Sequence, residues 1–211
     1  MRDTELVQHI ARMPLRTARW QDVDDVEVNA ARKLKRLEDV GAVTRIAKGV
    51  YTVPPNGADG RRWKAPLEAA ALALATVRFG ERQAVLMGQS AARHWGAIPR
   101  ALGRAQVAVS GATGRPMKLI DGTEVTFVVR DLTRLDTVVE RTALGDALIT
   151  TPAQTFYDLL ARGRHNDDAE ATQEGITNLA HRVTQEEIAA IADRHLRVAS
   201  TIRDFIRTGA S

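Results

Sequence analysis

The sequence predicts an α+β protein in two unequal parts, and three observations carry that expectation. Short amphipathic stretches at helical spacing lead into a glycine-turned hairpin within the first 53 residues. A stretch rich in Pro and Gly and without hydrophobic periodicity follows, from Pro54 to Pro66. Beyond it, β-type runs mix with helical ones, and the chain finishes in helices. The length of 211 residues suits one ordinary core or two small ones. With 44% apolar and 27% charged residues but only 4% aromatic ones, the core must be built from Ala, Leu, Val and Ile, which favours helices with close-packed interfaces.

The first element is a helix from about Thr4 to Met13, with Leu6, Val7 and Ile10 on one face and Pro14 as its stop. A second helix is expected near Trp20, at the acidic Gln21-Asp-Val-Asp-Asp25. In the third, Ala30, Leu34 and Leu37 fall on one face while Arg32, Lys33, Lys35 and Arg36 occupy the others, and Gly41 ends it. Residues 43–53 then alternate around a turn at Lys48-Gly49, the pattern of a short hairpin. A basic helix followed by a basic-tipped hairpin is the order of elements in a winged helix-turn-helix, in which the helix enters the major groove and the wing lies on phosphates. The residues expected at duplex DNA are Asn29, Arg32, Lys33, Lys35 and Arg36 on the helix and Arg45, Lys48 and Tyr51 on the hairpin. Asn29 is suited to adenine and the arginines to guanine. Residues 1–53 hold ten basic and eight acidic side chains, so the local cluster and not the total must supply the field, and non-specific affinity should be modest.

These signals divide the chain into a winged helix over 1–55, a linker over 56–66 and a larger α/β part over 67–211 with a helical tail. The linker should carry few contacts across it; its Arg61, Arg62 and Lys64 read as solvated. The larger part opens with a helix over 67–79, continues through a short strand or turn at Val85-Leu86-Met87, and reaches Gly88-Gln-Ser-Ala-Ala-Arg-His-Trp-Gly96. There Ser90 reads as the N-cap of a short helix. Strands are expected at 106–110, 124–130 and 147–149, a helix opens at Pro152, and helices follow over 169–180, 184–195 and 198–207. Thr184 and Glu187 have the spacing of a capping box. Core side chains should include Leu67, Leu72, Leu74, Val107, Val109, Val125, Phe127, Phe156 and Leu159.

Several chemistries find no support in the residues. The absence of cysteine excludes disulfides, thiolate metal sites and a cysteine nucleophile, and points to a reducing compartment. The five histidines, His9, His94, His165, His181 and His195, never take the spacing of a helical metal site, so no metal is expected. The loop Gly111 to Lys118 lacks the Lys-Ser/Thr pair of a phosphate loop, and no ordinary kinase motif appears. Asp24-Asp25, Asp167-Asp168 and Glu186-Glu187 read as helix-start and loop acids. No apolar run approaches the roughly 20 residues of a membrane span, so a cytoplasmic protein without a membrane partner is expected. Of the 30 basic residues 25 are Arg, which fits phosphate and base-edge recognition and equally fits a GC-rich coding sequence.

The N-terminal pattern, joined to Ser90–Gly96 with its "small-Ser-Ala, aromatic, Gly" order and to Thr151–Leu159 with its "Thr-Pro-x-x-Thr, acidic, Leu" order, resembles the AbiEi antitoxins of abortive-infection toxin-antitoxin systems. The resemblance implies an antitoxin domain after the winged helix. It also implies a shared promoter as operator and a nucleotidyltransferase-like toxin as partner. Two readings stand: a DNA-binding antitoxin that is not an enzyme and needs no cofactor, or an atypical serine protein kinase that uses ATP to phosphorylate the toxin. The kinase enters only through the resemblance, and no residue is assigned a catalytic role.

Overall fold

The computed structural model describes residues 2–111, 115–162, 168–195 and 197–208; the tip of the loop expected at 111–118, His165 and Asp167 lie outside the described residues. Helix α1 (Asp3–Arg12) buries Leu6 and Ile10 and ends before Pro14. A strand that the sequence does not announce, β1 (Thr17–Arg19), comes next. The expected second helix is only a 3₁₀ turn, Trp20–Val23. Three acids within five residues leave little apolar surface to pay for a longer helix, and Val23 alone of that turn is buried. Helix α2 (Ala30–Asp39) buries Ala30, Leu34 and Leu37 as the spacing requires. Its end is a Schellman motif: Ala42 N donates to Leu37 O (2.9 Å) and Gly41 N to Glu38 O (3.0 Å), with Gly41 at φ +77°. A Cβ at Gly41 would lie 2.1 Å from Asp59 Oδ1, so a larger residue would have to displace that carboxylate and also adopt the positive φ that glycine takes freely.

Strands β2 (Thr44–Ala47) and β3 (Val50–Thr52) form the hairpin, and β3 pairs with both neighbours in an antiparallel sheet of order β1-β3-β2. A bulge between Arg45 and Ala47 breaks the strict alternation and buries Ile46 and Ala47 together. One core of this segment gathers Leu6, Ile10, Val23, Leu34, Leu37, Val43 and Tyr51.

Helix α3 (Leu67–Phe79) matches its expected bounds, and every residue from Glu68 to Ala75 is buried. A helix apolar on all sides has to be covered on all sides. One cover is the six-stranded mixed sheet of β4 (Ala84–Leu86), β5 (Arg104–Val109), β6 (Met117–Lys118), β7 (Glu124–Val129), β8 (Thr137–Thr142) and β9 (Gly145–Thr150), in the order β6-β7-β5-β4-β9-β8. The other cover is the N-terminal segment: Leu15, Ile46, Ala47 and Val50 join the same apolar cluster as Ala69–Ala75, Leu86, Val107, Phe127 and Ile149. The expectation of few contacts across residues 54–66 therefore gives way to a continuous core, made possible by alanines small enough for close approach on two sides.

Strand β8 has no counterpart among the sequence expectations, because its Val138-Val139-Glu-Arg pattern lies at the sheet edge with Val139 62% exposed. The remaining helices, α4 (Gly88–His94), α5 (Pro152–Arg162), α6 (Ala169–Ala180), α7 (Gln185–Ala192) and α8 (Ser200–Thr208), share a second core around Ile98, Phe156, Leu159, Leu179, Ile188 and Ile202. Thr184 and Glu187 make the expected capping box. Ser90 is not a cap: Met87 holds that position, and Ser90 lies inside α4 with no exposed surface. Of the expected core, only Leu67 is partly exposed.

Candidate nucleic-acid interface

Burying Ala30, Leu34 and Leu37 turns the rest of α2 outward, but the cations of that face divide into two groups. Lys33 is 14% exposed and donates to Glu27 Oε2 at 2.7 Å, with Asp3 at 3.7 Å. Lys35 is held by Asp39 at 2.7 Å and Glu38 at 3.2 Å, and Arg36 by Asp3. The hydrogen bond from Lys33 holds the Glu27 carboxyl below its ordinary range, and the bond to Asp39 raises the Lys35 ammonium above its own. Paired in this way, three of the four expected helix cations contribute little field beyond the roughly 8 Å over which salt screens them. Arg32 differs: it is exposed and has no ion pair or hydrogen bond among the described residues.

Asn29 occupies the N-cap of α2 and is exposed, yet its side chain makes no capping hydrogen bond, which leaves the amide available for an outside partner. On the hairpin, Lys48 is exposed and likewise has no described partner, while Arg45 is half-buried with Nε 3.5 Å from Glu38 Oε1. Tyr51 corrects an expectation. It is 6% exposed and packs in the core with Leu34 and Val43, and burial raises its phenol above the ordinary value. Tyr51 lies in the central strand β3, which is covered on both faces, with Val50 in one core and Tyr51 in the other, and an alternation count that expects one open face cannot foresee it. Of the residues expected at DNA, those both exposed and without a described side-chain partner are Asn29 and Arg32 at the leading half of α2 and Lys48 at the hairpin tip. Sequence reasoning missed the acids Asp3, Glu27 and Glu38. Glu38 and Asp39 are readable as neighbours three and four residues from Lys35, but nothing local links Asp3 to Arg36.

Beside this face, a cleft of about 450 Å³ is lined by Lys35, Arg45, Trp63, Lys64, Ile120 and Asp121 among others. Its walls come from α2, β2, the connector and the turn after β6. Another hollow, of about 340 Å³, lies between Gln89, Arg104, Gln106, Glu124 and Asp168.

In the larger part, the two motifs singled out in the sequence pack against each other at the end of β9. Trp95 Nε1 donates to Thr150 O (2.9 Å), and the hydroxyls of Thr150 and Thr155 are 2.8 Å apart. Thr151 Oγ1 donates to Asp136 Oδ2 (2.8 Å), while Gln154 Oε1 accepts from Asp136 N (3.1 Å). Asp158, 2% exposed, pairs with Arg130 at 3.3 Å. Ser90 Oγ accepts from Gln106 N (2.9 Å) in the interior. These side chains join the sheet to the helices, and a fully buried hydroxyl presents no nucleophile at the surface. The family model described as the AbiEi antitoxin C-terminal domain matches residues 83–205, from β4 into α8.

The chain belongs to the AbiEi antitoxin family. Its matched domain takes in both motifs, whose residues serve here as structural joints. The matched region begins after α3, the helix that carries the shared core. A solved structure titled crystal structure of RV2827C protein from Mycobacterium tuberculosis is similar at 17% identity and a TM-score of 0.49, over 90% of this chain and 75% of that one. A comparison with curated proteins gave no match. No helix among the described residues is long and apolar enough to cross a membrane, and those residues hold no group of three or more potential metal ligands.

Proposed function

We propose that this AbiEi-family antitoxin binds the promoter of its own operon through residues 1–55, acting as a winged helix-turn-helix repressor, and counteracts a nucleotidyltransferase-like toxin through residues 67–211. The observation that carries the DNA reading is the placement of Arg32 and Lys48, both exposed and without a described partner, on the helix and on the hairpin that follows it. Support also comes from the element order helix, strand, turn, helix, hairpin with a β1-β3-β2 sheet, in which α2 is the element suited to a major groove. On this reading Asn29 and Arg32 read base edges and Lys48 positions the protein on phosphate. The family supports opposition to a toxin. The protein works in the cytoplasm, without a cofactor of its own.

The test is a mobility-shift titration of the full chain on its promoter and on unrelated duplex, paired with co-expression of the antitoxin and its operon toxin. Promoter-selective binding and cell survival support the reading. Equal, weak binding to every duplex removes the repressor assignment, and death of the co-expressing cells removes the antitoxin one.

A further inference from the structure

Trp20 is a large apolar residue left 37% exposed beside the hairpin tip. It follows β1, and because Arg19 pairs with Val50, the end of β1 lies beside the start of β3. Trp20 N donates to Gly49 O at 3.1 Å, which ties the residue to the turn that also presents Lys48. Gly49 has φ +72°, and a Cβ there would meet Trp20 Cδ1 at 3.1 Å and Nε1 at 3.5 Å. The indole therefore lies against the bare Cα of the turn, a position that a larger residue at 49 would crowd. The backbone on the other side is fixed as well: Asp22 accepts from Arg19 N (2.7 Å) and binds the Arg19 guanidinium at 2.6 Å. Among the described residues Nε1–H has no acceptor, and an indole nitrogen can only donate.

We propose that Trp20 is part of the DNA-contacting surface, its ring packing on the deoxyribose edge and its Nε1–H donating to a phosphate oxygen next to the phosphate held by Lys48. The inference rests on the winged-helix reading and deepens it. A cation on a flexible stem gives attraction without position, whereas a rigid amphipathic ring with one donor gives position without charge. Together they fix the wing on the backbone of the duplex, and they should leave different thermodynamic traces. Loss of the lysine releases one fewer counterion, while loss of the indole removes contact area only.

The experiment uses the full chain labelled with 5-fluorotryptophan, whose three tryptophans give three fluorine resonances, with Trp20 assigned by its disappearance in W20F. Promoter duplex and random-sequence duplex are added while fluorescence anisotropy of the DNA follows binding. The expected result is that the Trp20 resonance shifts with saturation while those of Trp63 and Trp95 stay in place. W20A should bind about tenfold more weakly at an unchanged salt slope, whereas K48A lowers that slope by about one. W20F, which keeps a ring but loses the donor, should fall between W20A and the parent. If DNA binds and the Trp20 resonance does not move, the inference is overturned while the winged-helix reading survives. If the unsubstituted chain binds neither duplex at low salt, the winged-helix reading fails and the inference falls with it. The resonance is read on the parent sequence, so the result stands even where W20A folds poorly.

Discussion

The backbone amide of Ile120 donates to the carbonyl of Ile46 at 3.0 Å, across a sequence separation that joins strand β2 of the hairpin to the turn between β6 and β7. Ile46 and Leu119 are both buried in the cluster that contains α3. The edge of the N-terminal sheet is thereby closed by the larger part, which covers a surface that would otherwise be open to edge-on pairing. The hairpin is thus joined to the AbiEi domain by this hydrogen bond as well as by the shared apolar core.

Ile46→Ala removes a side chain that is 5% exposed and sits at this junction. It should cost about 2–5 kcal/mol of stability and leave a single unfolding transition in urea, because the core it weakens is shared. A fragment starting at Trp63 uncovers one side of α3 and should bind a hydrophobic dye that the full chain does not bind. Two transitions, of which only one shifts in the variant, would show that the parts fold independently.

The ion pairs on α2 predict an ordering among its cations. Arg32→Ala should weaken promoter binding by roughly 1–3 kcal/mol, whereas Lys33→Ala should act mainly on stability, since Lys33 is spent on Glu27. Asp3→Asn removes the acid at Arg36 and near Lys33 and should steepen the salt dependence of DNA binding by about one unit of slope. Equal losses for the two alanine variants, measured by anisotropy at several salt concentrations, would contradict the division.

Arg130 and Asp158 form a pair whose side chains are 12% and 2% exposed. Arg130→Ala leaves the carboxylate buried with its main counter-charge gone, and the chain should lose about 3–5 kcal/mol by urea denaturation. Replacing the two together by apolar residues of similar size should cost much less. A double variant as unstable as the single one would mean that the pair supplies net stability beyond charge compensation.

The chain has two tyrosines, and burial raises the phenols of both Tyr51 and Tyr157 above the ordinary value near 10. A raised folded-state value means that the neutral form is favoured by folding. Its contribution is complete below the unfolded value and is lost as pH rises through the folded one. Absorbance at the phenolate band should rise at a higher pH in the folded chain than in the same chain unfolded in urea. Titration of either tyrosine at its ordinary value in the folded chain would place that ring in solvent.

Much of this was legible in the sequence because it depends on neighbours along the chain. The period of Ala30, Leu34 and Leu37, the Gly41 stop, the Lys48-Gly49 turn and the Thr184 capping box are local choices of backbone and face, and each recurs in the structure. Helix α3 was readable in extent but not in role. Its alanines look like propensity, and only the presence of two covers shows them to be a spacer between sheets.

The sequence by itself determined the mixed class, the helix faces and the hairpin, and its motifs pointed to the AbiEi family that the match over residues 83–205 bears out. Tertiary structure alone decided which charges are free. Lys33 and Arg36 look equivalent to Arg32 in the sequence, yet Asp3, brought from 33 positions away from Arg36, and Glu27 neutralise both. It decided as well that Tyr51 is buried, because β3 is a central strand covered on both faces, and that the Pro- and Gly-rich stretch spans a continuous core. The reason is common to all three: charge pairing and burial depend on separation in space, which spacing along the chain does not fix once the chain folds back on itself.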